Sequence, residues 1–154
     1  MYNGTCVSPL LGSNLSYENA ISNCHAAGGT IYTPMTDHYT EVLIEWRKRL
    51  FPDKKGNVPM WANILQTEPE RYEFMNVKGI MTDEYYNNWA PNEPNVDYDC
   101  VIVRPEDGKW KTQPCKNKAY SICYRDGVFS HPIFIYIPTY YTQRLYIPCY
   151  FYFI

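Results

Sequence analysis

Glu93-Pro94-Asn95 is the segment whose residue types and spacing most clearly suggest chemistry. A carboxylate and an amide flank a proline that holds them at a fixed separation, which suits a hard cation and a sugar diol together. Calcium takes about six to eight oxygen ligands, so other segments would have to supply further oxygens. The triplet is therefore part of a candidate binding site, and the rest of the sequence decides what kind of site it is.

Length and charge narrow the class of protein. The 154 residues are enough for one ordinary domain with a hydrophobic core. The formal net charge is −2, and the only dense cationic run is Arg47-Lys48-Arg49. We interpret that run as the solvent-facing last turn of a helix. Together these features argue against a nucleic-acid partner.

The six cysteines point to disulfides. They form no Cys-x-x-Cys pair and have no histidine near them at zinc-finger spacing, so a structural metal is not expected. Disulfides predict a secreted or extracellular protein, and two glycosylation sequons, at Asn3 and Asn14, agree with that location. Because Met1 stands only five residues before Cys6, a signal peptide has no room. If the protein is secreted, the sequence is a fragment or an incomplete gene model.

Two helices are expected to come first in the chain. Ser16 can cap a helix that ends at Gly28-Gly29, and the helical spacing of its small and apolar residues turns Cys24 inward. A second helix is predicted over residues 37–50. Its apolar stripe comprises Val42, Leu43, Trp46 and Leu50. Its charged side chains lie largely away from that stripe: Glu41, Glu45, Arg47, Lys48 and Arg49.

Short aromatic and β-branched runs follow from Pro59 onward, over residues 71–75, 100–103 and 119–124. Helices followed by short antiparallel strands predict an α+β fold. Residues 77–99 have little periodicity and are rich in Asn, Asp, Glu, Pro and Tyr. Loops of that length in a compact domain are usually functional or disordered.

An ordered set of cysteine, glycine and tryptophan positions around the triplet resembles the C-type lectin-like domain over residues 1 to about 125. The matching positions are Gly4-Thr5-Cys6, Ser16-Tyr17-x-x-Ala20-x-x-x-Cys24, Gly28-Gly29, Met60-Trp61-Ala62-Asn63-Ile64, Trp89-x-x-x-Glu93-Pro94-Asn95, Asp99-Cys100-Val101, Gly108-Lys109-Trp110, Cys115 and Ile122-Cys123. The resemblance implies two helices, small antiparallel sheets and a long loop region, stapled by disulfides.

The resemblance also implies the cysteine pairing. Cys24 would pair with Cys123 and Cys100 with Cys115, which ties the first helix to the last strand and closes the loop region. Cys6 resembles the second cysteine of the family's N-terminal hairpin, whose partner would lie upstream. Cys6 is therefore unpaired through truncation, bonded to another chain, or joined to Cys149.

In sugar-binding members of this family the Glu and Asn of the triplet bind calcium and two vicinal hydroxyls of a mannose-type sugar, and the intervening proline is usually cis. The resemblance thus assigns Glu93 and Asn95 as calcium and carbohydrate ligands. A register shift of the segment before Cys100 would add Asp97 as a third candidate, and the alternative is that Asp99 turns inward. It assigns Trp89 to packing in the loop rather than to sugar contact.

Other expected ligands are replaced in this chain. Calcium-binding members have Trp-Asn-Asp where this sequence has Trp110-Lys111-Thr112, and Tyr98 stands at the usual position of another acidic ligand. Lys111 brings a positive charge, and a Thr hydroxyl is a poor substitute for a carboxylate. Without an ion, the triplet is a surface turn in which Lys111 could pair with Glu93. A weak calcium site at best is predicted.

Three functional hypotheses follow, none of them enzymatic, because the scattered histidines belong to no nucleophile or metal motif. The first is a calcium-dependent lectin for mannose-type glycans. The second is a calcium-independent domain that recognises a protein with the same loop surface. The third is an anchoring or interaction protein that uses its C-terminal tail. Oligomeric state is not indicated by the sequence.

The tail, residues 126–154, contains ten aromatic residues but only two charged ones. Pro132 and Pro138 interrupt its longest uncharged stretch, so a membrane-spanning helix is not expected. A genuine tail could pack on the domain, enter a membrane interface or self-associate as strands. The alternative is a translated intron or a frameshift after the domain ends near Tyr124.

Overall fold

The computed structural model describes residues 2–9, 14–26, 28–55, 57–76, 79–81, 86–129 and 150–152, with the backbone alone for residues 2–9, 76, 79–81, 125–129 and 150–152. Two helices are present, α1 (Tyr17–Ala26) and α2 (Asp37–Leu50), followed by a short 3-10 turn at Pro52–Lys54. The strands are β1 (Tyr2–Pro9), β2 (Thr30–Ile31), β3 (Met60–Glu68), β4 (Arg71–Asn76), β5 (Gly79–Met81), β6 (Cys100–Val103), β7 (Trp110–Gln113), β8 (Ile122–Phe129) and β9 (Tyr150–Tyr152).

The strands form two antiparallel sheets. One has the order β2-β8-β1-β9, and the other has the order β5-β4-β3-β6-β7. The predicted α+β fold, with two helices and small antiparallel sheets, is confirmed. The predicted strand over residues 119–124 begins only at Ile122, since Ala119 and Tyr120 make isolated bridges to Leu15 and Met60.

Strand β6 of the second sheet is buried on both faces because the cores around the two helices meet it from opposite sides. Successive residues of β6 face opposite sides, and all four are buried. Val101 and Val103 join the core that contains Leu43 and Trp46 of α2. Cys100 and Ile102 join the core that contains α1. A fully buried strand therefore begins at Cys100, a few residues after the Glu93-Pro94-Asn95 triplet.

Two disulfides join the elements as the resemblance implied. Cys24 of α1 is bonded to Cys123 of β8, and Cys100 at the start of β6 is bonded to Cys115 just after β7. Cys149 and the side chain of Cys6 lie outside the described residues, so the alternatives for Cys6 stay open.

Helix α2 begins and ends where the sequence predicted, but its burial differs at Arg47. Thr36 caps the helix by accepting a hydrogen bond from the N–H of Tyr39 at 3.1 Å. The prediction that Arg47 faces solvent is wrong, because this residue is only 1% exposed. Its guanidinium donates to Arg104 O at 3.0 Å and to Val58 O at 3.4 Å. Burial lowers the pKa of Arg47, while the charge of Glu106 opposes that shift.

The turn between β6 and β7 packs closely on α2 at Gly108. This glycine has φ +72°, and a Cβ atom there would lie 2.7 Å from Thr40 Cγ2. Residues other than glycine rarely adopt that backbone conformation. A distance of 2.7 Å is also too short for two carbon atoms that are not bonded. The turn therefore requires glycine, and it fixes where β7 begins.

The predicted domain boundary at residue 125 remains a prediction. Strand β8 continues to Phe129, and β9 pairs with β1 between Thr5–Tyr152 and Val7–Tyr150. Residues 130–149, most of the aromatic tail, lie outside the described residues. None of the described helices is long and apolar enough to cross a membrane.

Candidate functional site

The site loop, residues 86–99, runs along the outer edge of β7 and carries the Glu93-Pro94-Asn95 triplet. The N–H of Trp110 donates to Asn88 O at 2.8 Å, and the N–H of Ala90 donates to Trp110 O at 2.9 Å. These bonds form an isolated parallel bridge at Trp89. The loop thus starts as a one-residue extension of the sheet, which fixes its register before it reaches the triplet.

Trp89 anchors the loop by packing, as the resemblance implied. Its ring meets that of Tyr72 edge-on at 5.2 Å and that of Trp110 at 5.6 Å, measured between ring centroids. Edge-to-face aromatic pairs of this kind stabilise a contact beyond their buried area. The side chain is half-buried against the core, so its position favours structure over ligand contact.

Glu93 uses one carboxylate oxygen to hold the loop to β7. Its Oε2 accepts from the N–H of Asn95 at 3.1 Å, the N–H of Thr112 at 3.0 Å and the hydroxyl of Thr112 at 2.5 Å. The Glu93–Pro94 peptide bond is cis, as is usual in sites the sequence resembles. Three donors converge on one oxygen, and hydrogen bonds to a carboxylate are among the stronger ones in proteins.

Thr112 completes this arrangement from the strand side. Its hydroxyl donates to Glu93 Oε2 and accepts from the N–H of Asn95 at 3.0 Å, a combination that a single hydroxyl can make. The side chain is only 2% exposed. The sequence suggested only that Thr112 would be a poor calcium ligand. The structure adds that it is the direct hydrogen-bond partner of the triplet.

Tyr72 supports the loop from below. Its hydroxyl lies 2.5 Å from Tyr98 O and 3.2 Å from Asn95 O. The Gln66 amide, oriented so that its nitrogen donates, reaches the Tyr72 hydroxyl at 3.1 Å and Val96 O at 3.0 Å. Burial, assisted by the negative charges of nearby carboxylates, raises the pKa of Tyr72 to about 12. The phenol therefore remains a hydrogen-bond donor at physiological pH.

Above these supports the loop presents an exposed surface. Val96 is 46% exposed and Tyr98 is 37% exposed, so the loop offers apolar surface to solvent. Asp97 and Asp99 are exposed beside them, and the N–H of Asp97 donates to Asn95 Oδ1 at 3.1 Å. The triplet, Asp97 and this apolar pair are thus brought together on one short segment.

Lys111 does not join this group. Burial alternates along β7, so Thr112 is buried and Lys111 is exposed. Among the residues that the structure describes, no ion pair connects Lys111 to Glu93. The suggestion of such a pair is wrong, because the Glu93 oxygen is turned to the donors of Thr112 and Asn95 instead.

Two of the oxygens that a calcium ion would use already accept hydrogen bonds within the protein. Calcium needs about six to eight oxygen ligands, several of them carboxylates. Glu93 Oε2 already takes three hydrogen bonds, and Asn95 Oδ1 takes one from Asp97. Within the described part of the chain, no three or more acidic, cysteine or histidine side chains are grouped as metal ligands.

Sequence reasoning missed Tyr72 and Gln66 as supports of the site. Both lie on strands at the other side of the triplet, and nothing in their local pattern distinguishes them from ordinary strand residues. The useful signal would have been the pairing of β3 with β4, which brings Gln66 opposite Tyr72. That pairing becomes visible only in the folded chain.

Comparisons with known proteins agree with this architecture. A family model described as the Lectin C-type domain matches residues 13–125. Pulmonary surfactant-associated protein D from Bos taurus is 28% identical over 115 residues, which cover 73% of this chain and 28% of that protein. The chain thus spans little more than a quarter of that relative's length.

Two solved structures share the fold at low sequence identity. The C-type lectin domain of murine dendritic cell inhibitory receptor 2, solved in complex with N-glycan, has a TM-score of 0.64 and 16% identity, covering 80% of this chain and 92% of that one. A calcium-independent type II antifreeze protein has a TM-score of 0.64 and 17% identity, covering 83% and 91%. At such identities the likeness concerns the fold alone.

Proposed function

The chain belongs to the Lectin C-type domain family, and we propose that it is a recognition module whose site loop binds a protein ligand without calcium. Domains of this family generally act as binding modules, and the same role is proposed here, without catalysis. The observation that carries the proposal is the hydrogen bonding of Glu93 Oε2. That oxygen receives three donors from Thr112 and Asn95, so the protein itself already satisfies one of the two carboxylate oxygens that an ion could use.

The exposed face of the loop supports a protein as the ligand. Val96 and Tyr98 offer apolar surface next to the carboxylates of Asp97 and Asp99. Tyrosine is enriched among the residues that dominate the energy of protein interfaces, because its ring is large and rigid and its hydroxyl can hydrogen-bond. A calcium-independent antifreeze protein shares the fold, so the fold itself does not demand the ion.

A second candidate is calcium-dependent binding of a mannose-type glycan. The Glu93-Pro94-Asn95 triplet favours it, together with the exposed side chains of Asn95 and Asp97 on the same segment. In this case Glu93 and Asn95 would be the calcium and sugar ligands, with Asp97 contributing a further oxygen. A functional site would have to use the other carboxylate oxygen of Glu93, or take Oε2 from its present donors.

An extracellular location fits both candidates. The Cys24–Cys123 and Cys100–Cys115 disulfides are typical of an oxidising compartment. Asn14 is exposed three residues before α1, as a glycosylated asparagine must be, so we also propose that this sequon carries a glycan in a secreted protein.

Calcium titration by calorimetry tests the proposed ion independence directly. The expected result is no saturable heat at millimolar calcium, no change in thermal unfolding with chelator, and no retention on mannose resin. Saturable heat with calcium-dependent retention on mannose resin would overturn the proposal and support the second candidate.

Binding of a multimerised form of the domain to cells tests the ligand class. Trypsin treatment of the cells should abolish binding, whereas glycosidase treatment and chelator should leave it unchanged. Val96→Asp should weaken binding because it adds a charge to the apolar pair. Glu18→Gln, on an exposed part of α1, serves as the surface control. Binding that survives trypsin and disappears with glycosidase would contradict a protein ligand.

A further inference from the structure

The edge of β7 suggests a role for the triplet that needs neither ion nor sugar. We propose that Glu93 and Thr112 form an ion-free clasp that holds the site loop in its binding shape, with Thr112 as its positioning residue. This inference rests on the proposed function, because it explains how the same loop would stay ordered without calcium. It is tested by a measurement that does not require the ligand.

The outward-facing backbone groups of β7 are paired with the site loop. In an antiparallel strand the N–H and C=O groups of alternate residues point away from the neighbouring strand. At Trp110 both outward groups are paired with the site loop. The next outward N–H belongs to Thr112, and the carboxylate of Glu93 accepts it at 3.0 Å. Glu93 thus continues, with a side chain, the pairing that the loop backbone begins.

The bond between Glu93 and the N–H of Thr112 also closes part of the exposed edge of β7. An exposed strand edge with unpaired donors is a template for pairing with another chain. Along β7 the described donors at Trp110 and Thr112 are both used within the molecule. The site loop and its carboxylate therefore close this part of the edge, and the loop gains a fixed position in return.

The Thr112 hydroxyl makes a further connection between β7 and the triplet. It joins the loop at two points, donating to Glu93 Oε2 at 2.5 Å and accepting from the N–H of Asn95 at 3.0 Å. The hydroxyl is buried, so water competes poorly for these bonds. Both flanking residues of Pro94 are thereby tied to one atom of a packed strand. An ion bound by Glu93 and Asn95 would tie the same two residues together.

Two substitutions of Thr112 differ in whether they keep its hydroxyl. Valine has nearly the shape of threonine but cannot donate or accept, so it breaks both contacts while keeping the volume. Serine keeps the hydroxyl and loses only a methyl group. Thr112→Val and Thr112→Ser therefore form a matched pair that separates hydrogen bonding from packing.

Amide hydrogen exchange, followed by NMR on the full chain, tests the clasp. In the wild type the amide of Asn95 should be protected equally with calcium and with chelator. Thr112→Val should speed its exchange about tenfold, because Glu93 Oε2 is then the only acceptor left to this amide. Thr112→Ser should leave it protected. The amide of Trp61, which is bonded to Tyr120 O outside the site loop, is the internal reference and should stay protected in all variants.

Equal protection of Asn95 in wild type and Thr112→Val would overturn the clasp, as would wild-type protection that appears only with calcium. If Thr112→Val also exposes the amide of Trp61, the domain has unfolded, and Glu93→Gln becomes the deciding variant. It removes the negative charge with little change in shape, so Asn95 should again exchange faster, and unchanged protection would refute the proposal.

The two proposals fail in different ways. Chelator-insensitive binding to cells with an unprotected Asn95 amide would remove the clasp and leave the proposed function standing. A protected Asn95 amide in chelator, together with cell binding that requires calcium, would remove the proposed function and leave the clasp as a structural feature of the free protein.

Discussion

The sheet strands β3, β6 and β7 and the site loop beside them are stabilised by different interactions. The strands share backbone ladders, and all four residues of β6 are buried between the two helices. Residues 95–99 of the site loop are exposed, and the loop is held mainly by Trp89 and a few hydrogen bonds to Tyr72 and Thr112. Stability and the proposed binding surface thus depend largely on separate residues, so the surface can change without loss of the fold.

The largest expected effect comes from removing the disulfide that belongs to the scaffold. Cys24→Ala/Cys123→Ala opens a closure with a sequence separation of 99, and Cys100→Ala/Cys115→Ala opens one of 15. The loop-entropy model gives losses of about 4.7 and about 3 kcal/mol in the free energy of unfolding. Urea denaturation of both variants measures the difference. A larger loss for Cys100→Ala/Cys115→Ala would mean that the region around the site loop contributes more to the stability of the domain than the loop-entropy model predicts.

The next effect is expected at the junction between the two regions. Tyr72→Phe keeps the ring against Trp89 but removes the hydroxyl that supports Tyr98 O. Leaving a partly buried carbonyl without its donor should cost about 1–3 kcal/mol in the free energy of unfolding. Tyr120→Phe, whose ring packs on Phe51 away from the site loop, is the matched control and should change stability less. Equal losses in the two variants would argue against a special role for the Tyr72 hydroxyl.

The same hydroxyl predicts a pH dependence. The pKa of Tyr72 rises from an ordinary value of 10.0 to about 12 in the folded protein. Its contribution to stability is therefore complete below about pH 10 and is lost as the pH rises toward 12, because the unfolded state releases the proton first. Burial also raises the pKa values of Tyr17 and Tyr32, so the measurement is the difference between wild type and Tyr72→Phe. A difference that stays constant from pH 9 to about 12 would contradict the assignment.

The smallest effect is expected at Lys111, which the sequence had connected with Glu93. Its side chain is exposed on β7, and an exposed residue of this kind contributes within about 0.5 kcal/mol. Lys111→Ala should leave the urea midpoint and the protection of the Asn95 amide unchanged. A measurable loss of either would bring Lys111 back into the site as a partner of the loop carboxylates.

The sequence predicted the scaffold well because burial leaves a periodic signature. The bounds of α2 follow from an apolar stripe and its polar ends, and the run of residues 100–103 is a strand buried on both faces. Arg47 broke the pattern, since a guanidinium can enter a core when backbone carbonyls such as Arg104 O lie within reach. That requirement depends on residues far apart in the chain, and periodicity does not report it.

The site was predicted only in part, because its contacts are specific to three-dimensional pairing. The triplet itself was visible as a motif, and the resemblance assigned Trp89 to packing. The hydrogen bonds of Thr112 to Glu93 join residues 19 positions apart, and nothing local indicates that a buried hydroxyl will face a carboxylate. Thr112 stands where calcium-binding members have Asp, and in the sequence this looked like the simple loss of a calcium ligand. In the folded chain the Thr112 hydroxyl bonds Glu93 and Asn95 instead.

Gly108 sets a limit on how this domain can be engineered. Since any side chain there would press on Thr40 of α2, the turn before β7 is a poor place for a spectroscopic label or a grafted epitope. The turn after α2 is a better choice, because Asp53 and Lys54 are exposed. A reporter group attached there would follow global unfolding while leaving the register of β7 and its loop undisturbed.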